Sequence, residues 1–166
     1  RKKVILSTGM SNKKEIKSAL KILGKRIFLL HCVSQYPCEK KNANIKRMIT
    51  LKNEFKVNVG YSDHTTGTKA CFLAIMLGAQ MIEKHFTDDN NRPGPDHPFS
   101  MTPETWKEMV DNTRILERSL GHFTKEVQDN EKETIVLQRR AIRFTKDVYS
   151  GDIITEDDFE FQRPCP

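Results

Sequence analysis

The chain has 166 residues, 37% hydrophobic and 30% charged, with a formal net charge of +6. That length fits one domain or one domain with a small appendage. No apolar run approaches the ~20 residues of a membrane span. Its Lys and Arg are scattered among acids, which speaks against a nucleic-acid partner and leaves small anionic ligands. Arg1-Lys2-Lys3 precedes an apolar stretch, Val4-Ile5-Leu6, that is too short for a signal peptide and reads as a buried strand. Cys32, Cys38, Cys71 and Cys165 form no CxxC pair, so free thiols in a reducing cytoplasm are expected.

In chain order, Val4 to Ser7 reads as the first strand. Ser11 then caps a helix with an apolar face of Ile16, Ala19, Leu20 and Leu23, closed by Gly24. Ile27 to Val33 is the second strand, and Asn42 to Phe55 carries Ile45, Met48, Ile49 and Phe55 at helical spacing. Val57 to Tyr61 is the third strand, Thr66 to Leu77 a buried helix ending at Gly78, and Met81 to Phe86 the fourth strand. Thr102-Pro103 begins a helix with a face of Trp106, Met109, Val110, Thr113, Leu116 and Leu120, ended by Gly121. Continuous apolar strands alternating with helices predict a parallel sheet covered by helices, as in a doubly wound sheet or half of a (β/α)8 barrel. Residues 122–139 are polar and read as a linker or exposed helix. From 140 to 166, Ala141-Ile142-Arg143-Phe144, a turn at Ser150-Gly151-Asp152, Ile153-Ile154 and Phe159-Glu160-Phe161 suggest short strands of a small β domain.

Chemistry in parallel α/β folds sits at the C-terminal strand ends. Here those ends read Ser7-Thr8-Gly9, Cys32-Val33-Ser34-Gln35-Tyr36-Pro37, Tyr61-Ser62-Asp63-His64 and Glu83-Lys84-His85. His64 and His85 end successive strands, and adjacent strands lie about 4.8 Å apart. Both imidazoles are therefore within reach of one divalent ion with open positions, such as Mn²⁺, Fe²⁺, Zn²⁺ or Mg²⁺. Ser7, Thr8 and Gly9 lead into a helix start, where hydroxyls and amides hold a phosphate or carboxylate. Arg92-Pro93-Gly94-Pro95-Asp96-His97 is a rigid loop that places Asp96 and His97 over the presumed mouth.

Five segments resemble the sialic acid synthase family in order and spacing. They are Ser7-Thr8-Gly9-Met10, His31 through Pro37, Gly60 through Thr65, Ile82 through Thr87, and Gly94 through His97. The tail segments Arg140-Ala141-Ile142, Lys146-Asp147-Val148, Gly151-Asp152 and Gln162-Arg163-Pro164 resemble the start of that family's antifreeze-like (SAF) domain. The resemblance implies a TIM barrel, represented by its last four βα units (1–121), a linker (122–139) and a partial SAF domain (140–166). The implied reaction joins phosphoenolpyruvate to an N-acyl-hexosamine such as N-acetylmannosamine, giving a nonulosonic acid and phosphate in the cytoplasm. The implied cofactor is a divalent metal, Mn²⁺ first with Mg²⁺ or Co²⁺ as alternatives, bound by His64 and His85. Ser7, Ser62 and Ser34 are the implied phosphoenolpyruvate contacts, and Tyr36 and Asp96 the sugar contacts. Glu83 orients the ligands, and Arg163 reaches the sugar of the partner subunit in a domain-swapped homodimer. The family's first four βα units do not appear in this sequence. The chain is therefore expected to be part of a longer enzyme, weak at binding and prone to aggregate alone. Two other readings remain at this point. One is a non-catalytic remnant or binding module. The other is a two-histidine metallohydrolase that adds Asp63, Glu83 or Asp96 as ligands.

Overall fold

The computed structural model describes residues 2–163. The expectations for Cys165 and for Pro164 in the tail motif fall outside the described residues. The chain divides into two compact units, Arg1–Gly121 and His122–Pro166.

In the first unit, β1 (Val4–Ser7), β2 (Ile27–Cys32), β3 (Asn58–Asp63) and β4 (Ile82–Lys84) form one sheet in the order β1-β2-β3-β4, with every pairing parallel. The intervening helices are α1 (Lys13–Leu23), α2 (Arg47–Phe55) and α3 (Lys69–Met76), and α4 (Pro103–Leu120) follows β4. Side chains alternate across a strand, and the core uses one of the two alternating sets. Val4, Leu6, Ile27, Leu29 and Val59 pack against Ile16 of α1 and Met48, Leu51 and Phe55 of α2. Tyr61 and Ile82 continue the same face against Ala70 and Ala74 of α3, and Ile82 also reaches Met109 and Trp106 of α4. All four helices therefore cover one face of the sheet. A doubly wound sheet would reverse its strand order and cover both faces. The consecutive order with one covered face is instead a curled half-barrel. Full burial of a residue such as Leu29, at 0% exposure, stabilises by about 2 kcal/mol.

The starts of α1 and α2 differ from the sequence reading. The cap of α1 is Asn12 rather than Ser11. Asn12 Oδ1 accepts from the amides of Lys14 and Glu15, and Glu15 Oε2 accepts from the Asn12 amide at 2.7 Å. This reciprocal box satisfies donors that a serine one residue earlier cannot reach, and Ser11 Oγ donates to Gly9 O instead. Helix α2 begins at Arg47, not Asn42, because Lys40–Asn42 is a 3₁₀ turn and Asn44 takes a left-handed φ of 41°, which interrupts a right-handed helix. Helix α4 starts and stops as expected, with Thr102 as cap and Pro103 at the first position. Of its apolar face only Met109 is buried, and Val110 and Leu120 are exposed.

In the second unit, α5 (Lys132–Gln138) precedes an antiparallel hairpin of β5 (Ala141–Phe144) and β6 (Phe159–Gln162). Phe144 and Phe159 pair across it with ring centroids 5.0 Å apart. Ile153 and Ile154, expected in a strand, lie in irregular backbone before the turn Glu156–Asp158.

Candidate functional site

The face of the sheet left free by the helices carries Ser7, Cys32, Ser62 and Glu83, and the histidines follow directly on β3 and β4. His64 and His85 stand with ring centroids 5.2 Å apart. His64 Nδ1 donates to Val33 O at 3.1 Å, which leaves Nε2 with its lone pair. Cys32 Sγ lies 3.7 Å from the same Nδ1. Burial pushes the His64 imidazole below its ordinary value, against the opposing effect of the Val33 hydrogen bond, and the neighbouring His85 lowers it further. A neutral ring is the ligating form. His85 Nδ1 faces Asp96 Oδ2 at 3.5 Å.

Aromatic side chains enclose the pair. Tyr36 sits 4.2 Å from His64 and 5.6 Å from His85 between centroids, and Phe99 sits 5.1 Å from His85. Phe99 belongs to the Pro98-Phe99-Ser100 stretch, to which the motifs assigned no contact.

Ser62 Oγ donates to Glu83 Oε1 at 2.7 Å, so the two site residues on β3 and β4 are joined directly. Ser7 ends β1 exposed on the same face, while the next residue, Thr8, turns inward and bonds Leu30 O through both its amide and its hydroxyl. Ser34 approaches the β1 loop closely. A Cβ on Gly9 would fall 2.3 Å from Ser34 Oγ and 3.0 Å from Cys32 Sγ, so only glycine permits that contact. Arg163 follows β6 in the second unit and is exposed.

The loop carrying Asp96 is closed at its base. Met101 N bonds His85 O at 2.8 Å and Thr87 N bonds Met101 O at 2.9 Å. Within it, Thr87 Oγ1 meets His97 Nδ1 at 2.7 Å, and Asn90 Nδ2 donates to the carbonyls of His97 and Ser100.

Asp63 is not part of the mouth. Successive strand residues face opposite ways, and Asp63 turns toward the helices, where Lys84 Nζ donates to Asp63 Oδ2 at 2.7 Å. This removes it from the three candidate carboxylates, Asp63, Glu83 and Asp96, of the metallohydrolase reading. Among the described residues, no group of three or more His, Cys, Asp and Glu converges on one point.

A helix-covered parallel half-barrel with polar strand ends gathered around two histidines defines the class as an α/β half-barrel. A model described as the NeuB family matches residues 1–125. N,N'-diacetyllegionaminic acid synthase of Campylobacter jejuni is 41% identical over 170 residues, 99% of this chain and 51% of that protein. Pseudaminic acid synthase of Helicobacter pylori is 34% identical over 167 residues, 98% of this chain and 49% of that protein. A crystal structure of N-acetylneuraminic acid synthetase from Leptospira borgpetersenii superposes with a TM-score of 0.71 at 39% identity, covering 80% of this chain and 47% of that one. The chain belongs to the NeuB family, and it spans about half the length of the curated relatives it matches.

Proposed function

We propose that this chain supplies the metal-binding half of a synthase that condenses phosphoenolpyruvate with an N-acyl-hexosamine. In that reaction C3 of phosphoenolpyruvate bonds to the aldehyde carbon of the open-chain sugar. Water adds at C2, the C2–O bond breaks, and phosphate leaves. The observation that carries the reading is the histidine pair. Two imidazoles lie with ring centroids 5.2 Å apart, each with Nδ1 turned to an oxygen, and the Val33 hydrogen bond leaves the His64 Nε2 lone pair available. Two neutral nitrogens suit a divalent ion that keeps positions open for oxygen ligands, and Mn²⁺ is the first choice over Mg²⁺ or Co²⁺. When bound there, the ion polarises the aldehyde oxygen as a Lewis acid.

The chain's own residues bind and orient. Ser7, Ser62 and Ser34 hold phosphoenolpyruvate at the strand ends. Glu83 keeps the Ser62 hydroxyl in place by accepting its hydrogen bond until a substrate oxygen competes for it. Tyr36 and Phe99 exclude water beside the histidines. Asp96 steadies His85 and accepts from a sugar hydroxyl. Arg163 serves the partner subunit's site in a domain-swapped homodimer.

The test expresses the protein from its complete reading frame and follows phosphate release from phosphoenolpyruvate with N-acetylmannosamine and Mn²⁺. Release should be metal-dependent and fall to background in a His64→Ala, His85→Ala double variant. Release that survives in that variant would sink the histidine assignment. No release with any of several N-acyl-hexosamines would sink the synthase reading.

A further inference from the structure

Behind the histidine pair, on the helix side of the same strand ends, lies a charge pair that the proposed chemistry does not use. Asp63 and Lys84 are register partners on β3 and β4, with side chains 0% and 1% exposed. Each immediately precedes one of the two histidines. Lys84 Nζ donates to Asp63 Oδ2 at 2.7 Å and also to the carbonyl of Thr65, the residue after His64. Asp63 Oδ1 accepts from the Thr65 amide at 2.8 Å, and Oδ2 accepts from Thr65 Oγ1 at 3.3 Å and from Cys71 Sγ of α3 at 3.1 Å. Burial, together with the neighbouring Asp63 charge, holds the Cys71 thiol well above its ordinary value, so it stays a neutral donor there.

A buried ion pair is weak evidence for stability, because an apolar pair of similar volume often serves the fold as well or better. Its cross-links say more. Lys84 ties the Asp63 carboxylate before His64 to the Thr65 carbonyl after it, while riding one residue before His85. Moving either strand end along or away from the other breaks at least one of its bonds. Such a strut limits relative shifts of the two imidazoles, whereas apolar packing tolerates sliding.

We propose that Asp63 and Lys84 are positioning residues that fix the spacing and ring orientation of His64 and His85. The inference rests on the proposed two-histidine metal site for its purpose, and on the hydrogen bonds above for its geometry. Outer groups that orient metal ligands typically contribute 10–100-fold to metal affinity.

The experiment compares the protein from its complete reading frame with an Asp63→Leu, Lys84→Met double variant, which removes both charges together and strands neither. Two readouts are taken beside thermal melting. Long-range ¹H–¹⁵N spectra of histidine-labelled, metal-free protein report the tautomers, and an electron paramagnetic resonance titration reports Mn²⁺ affinity. The variant should melt cooperatively, show His64 shifted from the Nδ1–H tautomer toward a mixture, and bind Mn²⁺ about 10–100-fold more weakly. Unchanged imidazole spectra with Mn²⁺ affinity within about twofold would overturn the proposal and leave the pair a purely structural one. If the parent protein binds no Mn²⁺ yet the tautomer shift is seen, the metal reading fails and the positioning claim stands. Should the apolar variant not fold, Asp63→Asn, Lys84→Gln is read in the same way. Glutamine is one atom shorter than lysine and cannot reach both oxygens with the backbone unmoved, so the same shift is expected. Its absence overturns the proposal.

Discussion

Leu29, Met48 and Val59 in the first unit keep 1% or less of their surface, whereas every residue of β5 in the second unit is exposed. Among the described residues of the second unit, the buried side chain is a carboxylate, Asp158, at 6% exposure. It accepts from the Thr155 amide at 2.8 Å and from the Thr155 hydroxyl at 3.0 Å, and it pairs with Lys146. The first unit is thus organised by apolar burial between sheet and helices, and the hairpin by a polar staple. Apolar contacts are non-directional and deep, so they fix a scaffold without titrating. A staple of hydrogen bonds on an exposed hairpin is specific in geometry but open to pH and salt.

The contrast can be broken first at Leu29. Leu29→Ala should destabilise the first unit by about 3 kcal/mol through lost burial and the cavity left behind. Amide exchange in Asn58–Asp63 should speed up while the β5–β6 amides keep their rates. Equal acceleration in both units would mean that the two do not differ as described.

A smaller effect is expected at the cap of α4. Thr102 Oγ1 accepts from the Thr105 amide, and Thr102→Ala should cost about 1 kcal/mol, seen in amide exchange over the first turn of α4. No change there would show that Pro103 alone sets the start of the helix.

The third test sharpens the comparison by acid. The Lys146 ammonium, helped by the Thr155 amide, pulls the Asp158 carboxyl from 3.8 down to about 2. A depressed folded value means that its contribution is complete above the unfolded value, about 3.9, and is lost as pH falls toward 2. Hairpin amide protection should therefore decline between about pH 4 and pH 2, and Asp158→Asn should abolish that dependence. A hairpin whose protection ignores pH across this window would remove the staple from the account.

Periodicity served the sequence reading well where burial is one-sided. Val4 to Ser7 was legible because a short apolar run writes a strand, and Pro103 to Leu120 because a cap-proline start writes a helix. It failed where local hydrogen bonding chose among neighbours. Ser11 and Asn12 are both cap-type residues, and only Glu15 three places beyond Asn12 decides between them. For α2 the helix expected from Asn42 runs through Asn44, whose left-handed backbone no hydrophobic pattern reports.

At the site, His64 and His85 were placed by their strand ends, and Tyr36 and Asp96 by the family resemblance; the structure sets these four side chains near one another. Asp63 was misplaced because adjacency in sequence was taken as adjacency on a face. The period of two already grouped Asp63 with Tyr61, on the side where Lys84 waits one strand over. Lys84 gave no sign of its own, since a lysine inside a three-residue strand looks like a solvated charge until its partner is known.

The hydrogen bonds between His85, Thr87 and Met101 close the Asp96 loop at its neck. A loop tied off in this way has met its own closure entropy locally. Residues between the tie points can then be exchanged as a cassette, with β4 on one side and α4 on the other left unaware of the new content. Divergence among relatives in what faces Asp96 has a ready-made place to occur, and it leaves the histidines undisturbed where Asp96 and Phe99 keep their contacts with His85.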